Sequence, residues 1–276
     1  MQGLLETIQK NIEFVGISIL LMVIVFAVAR GSEILIEKKT GVRFTSEKTK
    51  VNKTVIMAML SAIAVILMYF DFPIPFLAPG FYKLDFSEIP VLIGSFMLGP
   101  CAGVIIEAVK VILHFCMKGT TTAFVGDFAN FILGCVYVVP ASIIYHTKKT
   151  RKMAIISLAA GGAILVVAGM LLNAWYLLPK YSELYGMPMD VLIAMGTKVN
   201  ASIKDVFSFV ALAVAPFNII KALIDGTALT FLLNTLLCSP ALSINSPTKT
   251  NLTWLNAEEV SSSSSSSFKV ISVALR

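Results

Sequence analysis

Few residues in this sequence can do chemistry, and those few lie inside or at the ends of long apolar blocks. Asn218, Lys221 and Asp225 are spaced by three and four, which places them on one face of a helix. Asn173 lies near the end of another apolar block, followed by Trp175, Tyr176 and Tyr181. A charge at mid-bilayer costs roughly 2.5–3.5 kcal/mol on insertion scales, so such residues need a partner or a function. Two readings stand for Lys221 and Asp225. They form an internal ion pair that joins two helices, or they line a ligand cavity with Asn218 and Asn173. The asparagines favour the cavity, because each offers a donor and an acceptor side by side, as the edge of a heterocyclic ring requires. Glu107 and Lys110, three apart, read as a structural pair. Asp127 and Asn130 open a further helix, where the charge of Asp127 suits the positive end of the dipole. The aromatics Phe72, Phe76, Phe81 and Tyr82 read either as an interfacial anchor belt or as the cover of a flat ligand.

No phosphate-binding G-x-x-x-x-G-K-[ST] run, dinucleotide fingerprint, nucleophile elbow or zinc-protease signature occurs, so the sequence offers no means of hydrolysing ATP. The cysteines Cys101, Cys116, Cys135 and Cys238 form no C-x-x-C pair and read as small hydrophobes. His114 and His146 lack spaced partners for a metal. The expectation is a protein that recognises and moves a ligand, with no cofactor, no metal and no enzymatic activity.

The elements that must position these residues are membrane helices. Of 276 residues, 57% are hydrophobic and 14% are charged, against about 25% charged in a soluble domain. The mean hydropathy is +0.85. A spanning helix needs roughly 20 mostly apolar residues. Candidate helices run over about Ile12–Ala29, Thr54–Phe70, Ile89–Leu98 (short), Cys101–Met117, Gly126–Tyr145, Ala154–Leu178 and Phe209–Leu237. The segment Asp71–Pro90 is too rich in proline for a regular helix, and Gly99-Pro100 marks a turn. Pro179–Ser208 reads as part helix and part loop. The first block is no cleavable signal peptide, since it lacks a basic start and a small-residue cleavage site.

A formal charge of +6 invites a nucleic-acid reading. The basic residues nevertheless sit in short loops between apolar blocks, as cytoplasmic loops do. The two densest basic loops, Arg30–Lys53 and Lys148–Lys152, are separated by four crossings and therefore share a side. Asp71–Pro90, the Lys118 loop and Pro179–Ser208 then share the outer side. From Ser239 the composition turns to Ser, Thr and Asn, with a serine run at Ser261–Ser267. Such a segment cannot bury enough apolar surface to offset its ordering entropy, and disorder is expected. The organisation is an N-terminal helix and basic linker (1–52), a membrane domain (53–238) and a tail (239–276).

The block FYKLDFSEIPVLIGSFMLGPCAGVIIEAVK (Phe81–Lys110) resembles the substrate-binding S components of energy-coupling factor transporters, specifically the riboflavin-binding member. Asn173 with Pro179 and Tyr181, and PFNIIKALIDG at Pro216–Gly226, match as well. The resemblance implies an all-α integral membrane protein with a six-helix core, to which Ile12–Ala29 is an addition. It implies Asn173, Asn218 and Lys221 as polar ligands of riboflavin. Phe81, Lys83, Leu84 and Asp85 then belong to the covering loop, with Tyr181 beside them. It further implies Ala58 and Ala62 as a coupling face, a small-x-x-x-small pattern that lets helices approach closely in lipid. The implied partners are a transmembrane coupling protein and two ATP-binding subunits, in a bacterial cell membrane. The alternatives are an S component for another vitamin or a flavin precursor, or a membrane enzyme or self-contained secondary transporter. The latter should show an inverted repeat, which the sequence lacks.

Overall fold

The computed structural model describes residues 12–41, 44, 50–119 and 125–238. The serine-rich tail lies outside them, as do Arg43 and Lys48 of the basic linker.

The first helix, α1 (Ile12–Thr40), continues well past Ala29, where the apolar block ends. The charged residues that follow hold it. Glu33, only 1% exposed, takes a hydrogen bond from Arg30 at 2.9 Å and another from the backbone N–H of Cys101 at 3.0 Å. Then come α2 (Lys50–Tyr69), the short strands β1 (Phe72–Pro73) and β2 (Lys83–Leu84), and α3 (Glu88–Leu98). The strands pair antiparallel, Phe72 opposite Leu84 and Pro73 opposite Lys83, so the proline-rich segment folds as a small hairpin. Gly99, at a φ of 106°, reverses the chain between α3 and α4 (Pro100–Lys118), a conformation that glycine alone adopts readily. Pro100 sits at the helix start, where its missing N–H costs nothing.

Helix α5 (Val125–Thr147) is followed by α6 (Arg151–Leu172), which is capped by the Thr150 hydroxyl on the N–H of Met153 at 3.3 Å. At Asn173 the helix widens into a π-helical turn, Asn173–Leu177, and then continues as α7 (Leu178–Tyr185). The mixed stretch that follows contains α8 (Met189–Val199) and α9 (Val206–Phe209). A second π-helical turn, Val210–Val214, leads into α10 (Ala215–Cys238). The two wide turns pack against each other at one end of the bundle. Single-turn π segments are rare and cluster at functional sites.

Among the described residues, six helical stretches are long and apolar enough to cross a membrane, and α3 is a shorter apolar helix. The protein is an all-α integral membrane protein. Its six-helix core is α2 to α6 with α10, and α1 is added against α4 and α5. Large apolar side chains on α1 and α2, such as Leu20, Val23, Leu35, Val55 and Ile63, are exposed, as lipid-facing residues are. Inside, Phe96 stacks on Tyr145 with ring centroids 4.3 Å apart, amid Leu60, Ile106, Tyr137 and Leu229.

The segments grouped by charge meet at opposite ends. At one end Asp71 pairs with Lys118, and Tyr82 bonds Asn173. At the other, Phe44 of the basic linker packs edge-on against His146 with centroids 4.9 Å apart.

Candidate functional site

A cavity of about 450 Å³ opens between the hairpin, the ends of α4 and α5, the first π turn and α10. That is within the range of small-molecule sites, about 300–1,000 Å³. Asn173, Asn218, Lys221, Phe81, Lys83, Asp85 and Tyr181 all line it. Leu84 does not. It is 2% exposed and packs with Ile74, Ala78 and Phe209 beneath the hairpin, because strand alternation turns it away from its neighbours Lys83 and Asp85.

The roof is aromatic. Tyr82 lies 4.7 Å from Phe81, 5.6 Å from Phe217 and 6.4 Å from Phe209, and Phe81 lies 5.4 Å from Tyr181 (ring centroids). Phe72 and Phe76 face outward instead, Phe76 at 82% exposure, as does Trp175. The two readings of the loop aromatics therefore divide between them: two cover the cavity, and two are positioned as interfacial anchors.

The polar groups converge from several elements. Asn173 starts the first π turn. Its Oδ1 accepts from the Tyr82 hydroxyl at 2.5 Å, and its Nδ2 donates to the Gly169 carbonyl at 2.8 Å. Burial pushes the Tyr82 phenol well above its usual range, so it remains a donor. Asn218, on α10, lies beside Gly169, where a Cβ would sit 2.5 Å from the Asn218 amide nitrogen. Gly169 thus lets both asparagines reach one place.

Lys221 and Asp225, read from sequence either as an ion pair or as two residues of one cavity, go separate ways. Its Nζ lies 3.6 Å from Asp85 and 3.5 Å from Glu88, across to the hairpin and α3. Asp225, although four residues on, lies off the cavity wall, and neither of its buried carboxylate oxygens has a hydrogen-bond partner. One helical turn sets the two side chains on one face, but Lys221 extends toward the two carboxylates of other elements. The Glu107–Lys110 pair forms at 2.6 Å, and Lys110 also reaches Glu88 at 3.1 Å and the Ser87 hydroxyl at 3.0 Å. Burial would raise the Asp85 carboxyl, but Lys221, Lys110 and the Ser87 donors outweigh it and hold it below its usual range. Asp127, besides opening α5, pairs with His114 at 3.3 Å.

Sequence reasoning missed Gly169, Glu88 and His114. Glu88 carried a signal, since it stands three residues from Asp85 in one polar block. Gly169 carried none, because only the approach of α10 gives it a role. Ala58 and Ala62 lie away from the cavity, on the exposed face of α2.

A bundle of apolar helices closed at one end over a ring-lined cavity with a few convergent polar groups is the form of a membrane ligand carrier. The chain belongs to the family of substrate-specific components of ECF transporters, whose family model matches residues 52–237. It is 34% identical over 176 residues to the riboflavin transporter FmnP of Bacillus subtilis (strain 168), covering 63% of this chain and 86% of that protein. It is 36% identical over 174 residues to the riboflavin transporter RibU of Staphylococcus aureus (strain TCH60), covering 63% and 84%. A solved structure described as the S component of a bacterial ECF transporter superposes with a TM-score of 0.56 at 32% identity, covering 71% of this chain and 99% of that one. The protein is accordingly a multi-pass protein of the bacterial cell membrane. Helix α1 precedes the matched region.

Proposed function

We propose that this chain is the high-affinity riboflavin-binding subunit of an ATP-driven importer. The supporting observation is the convergence of Asn173, Asn218 and Lys221 on a cavity roofed by Phe81 and Tyr82. Riboflavin suits such a site: its ring is flat and stacks on aromatics, while its edge and ribityl chain demand hydrogen bonds. A pocket that bonds such groups rejects analogues lacking them, because its own polar groups would be left unpaired. The charge distribution puts the cavity at the outer face.

Transport then requires partners: a transmembrane coupling protein and two ATP-binding subunits, the chain itself being no enzyme. The exposed Ala58–Ala62 face of α2 suits close contact with a helix of the coupling protein. The test has two arms. Purified protein should quench riboflavin fluorescence on binding, and membranes holding this chain alone should not accumulate the vitamin. Concentrative uptake without an ATP-hydrolysing partner would end the importer-subunit reading, and absent quenching would end the riboflavin reading.

A further inference from the structure

The two ends of the bundle treat their charges differently. At the cavity end the cations meet carboxylates: Lys83 and Lys118 share Asp71, and Lys180 bonds Glu183 at 2.7 Å. At the opposite end the basic segments gather. Phe44 donates its backbone N–H to Glu37 at 2.7 Å, its carbonyl accepts from Lys53 at 3.3 Å, and its ring packs on His146. The last turn of α1, the start of α2 and the end of α5 therefore meet at one place. Lys38 and Lys39 close α1, while Lys148, Lys149, Arg151 and Lys152 lead from α5 into α6, all six exposed. Among the described residues the carboxylates of this end are Glu33 and Glu37, and both are engaged within the fold. Glu33 takes Arg30 and the N–H of Cys101, and Glu37 takes the N–H of Phe44. Lys38, Lys39, Arg151 and Lys152 have no carboxylate partner among the described residues.

What stands beside these four cations indicates what covers them. On α1, Ile34 and Leu35 precede Lys38 and Lys39 by four residues; on α6, Ile155 and Ile156 follow Arg151 and Lys152 by four. A spacing of four puts each aliphatic side chain on the face of its cation, one turn further into the bilayer. All four are exposed, Leu35 at 68% and Ile155 and Ile156 each at 53%. Helix α1 ends here and α6 begins here, so the order along the chain is reversed between them. The order in space is the same, with charge outermost and bare hydrocarbon one turn deeper. A cytoplasmic charge bias requires only that cations lie on this side. It does not require each to stand one turn beyond an exposed aliphatic side chain. A phospholipid has that order, an anionic headgroup above acyl chains. A protein seated over the end of the bundle would cover the cations and leave the aliphatic flanks bare.

We propose that Lys38, Lys39, Arg151 and Lys152 form a binding surface for anionic phospholipid at the end of the bundle opposite the cavity. The cations take the headgroup phosphate, and the acyl chains lie along Ile34, Leu35, Ile155 and Ile156. Half of this surface belongs to α1, which precedes the region matched by the family model. The added helix thus supplies lipid contacts as well as the cap on α4.

The test is a melting curve of the purified full chain in neutral detergent, titrated with phosphatidylglycerol or with phosphatidylcholine of the same acyl chains. Phosphatidylglycerol should raise the melting temperature saturably and more than phosphatidylcholine, and high salt should shrink the difference. Each cation near an anionic surface contributes about fivefold to affinity. Lys38→Gln with Lys39→Gln, or Arg151→Gln with Lys152→Gln, should therefore raise the half-saturating phosphatidylglycerol concentration by about thirtyfold. Lys38→Arg with Lys39→Arg, which keeps both charges, should respond as wild type does. Glycerol phosphate, a headgroup without acyl chains, should give no comparable stabilisation at the same concentration. Equal stabilisation of wild type by the two lipids overturns the proposal without need of any variant. An unchanged phosphatidylglycerol response in both glutamine variants overturns it, as does a matching response to glycerol phosphate. Glutamine variants that lose uptake in cells while keeping the lipid response would assign the cations to a protein partner, and overturn it too.

Discussion

Asn173 and Asn218 come from different helices and meet at Gly169, one bonding its carbonyl and the other lying against its missing side chain. Removing one partner of a buried hydrogen bond costs about 1–3 kcal/mol, and each 1.4 kcal/mol is about tenfold in affinity. Asn173→Ala and Asn218→Ala should therefore each weaken riboflavin binding by about five- to a hundredfold, read by fluorescence quenching. Unchanged affinity in both would remove the asparagines from the site. Lys221→Met should weaken binding as much and also lower the melting temperature, because Asp85 and Glu88 lose a counter-charge. At the rim, Asp71 accepts from Lys118 at 2.6 Å and from Lys83 at 3.0 Å, tying the hairpin to the end of α4. Partial burial would raise its carboxyl, but the two ammoniums outweigh burial and hold it below the usual range. A carboxyl with a depressed folded-state pKa stabilises above its unfolded value, about pH 4, and loses that contribution as the pH falls through the folded value. Wild type should thus melt higher than Asp71→Asn at pH 7, and the gap should close as the pH is taken below 4. A gap independent of pH would contradict the latch.

Helices place these residues through local devices that can be tested singly. The π turn at Asn173 follows directly on Gly169, and a Cβ at Gly169 would press on the Asn218 amide. Gly169→Ala should consequently lower riboflavin affinity while changing no group that touches the ligand, and Gly169→Ala combined with Asn218→Ala should add little further loss. Additive losses would show that the glycine acts elsewhere. On the opposite side of the bundle, Glu33 of α1 serves as a cap for α4, taking the N–H of Cys101 that the helix start leaves unpaired. Replacing a capping side chain by alanine costs about 0.5–2 kcal/mol, so Glu33→Ala should lower the melting temperature by a few degrees. Affinity should stay near that of wild type, since Glu33 is not on the cavity wall.

At the scale of the whole molecule, the cavity and the proposed coupling face occupy separate surfaces. The cavity lies between the hairpin, α4, α5, the first π turn and α10, whereas Ala58 and Ala62 stand exposed on α2, and α1 packs on α4 and α5. The added helix therefore leaves the alanine face open. Ala58→Phe or Ala62→Phe should abolish uptake in cells that hold the coupling module, with riboflavin binding by the purified subunit nearly unchanged. The bulky ring separates two helices that must touch. Loss of binding in folded protein would place Ala58 and Ala62 at the ligand instead.

Hydropathy and charge by themselves determined the number of membrane helices, their order and which loops lie together, because a bilayer admits only helices of a given length and the basic loops share a side. Residue type and spacing also marked Asn218, Lys221 and Asn173, since polar groups inside apolar blocks are costly and stand out. The partner of Lys221 was not legible. Spacing offered Asp225 either as its ion-pair partner or as a second cavity residue, and the tertiary structure supplied Asp85 and Glu88 from the hairpin and α3 instead. The continuation of α1 to Thr40 likewise depends on Glu33 meeting the start of α4. So does the role of Gly169, a residue with no side chain to announce it. Periodicity records what a residue shares with its own helix. Which long side chain meets which distant carboxylate is decided by how the helices cross, and no local pattern carries that.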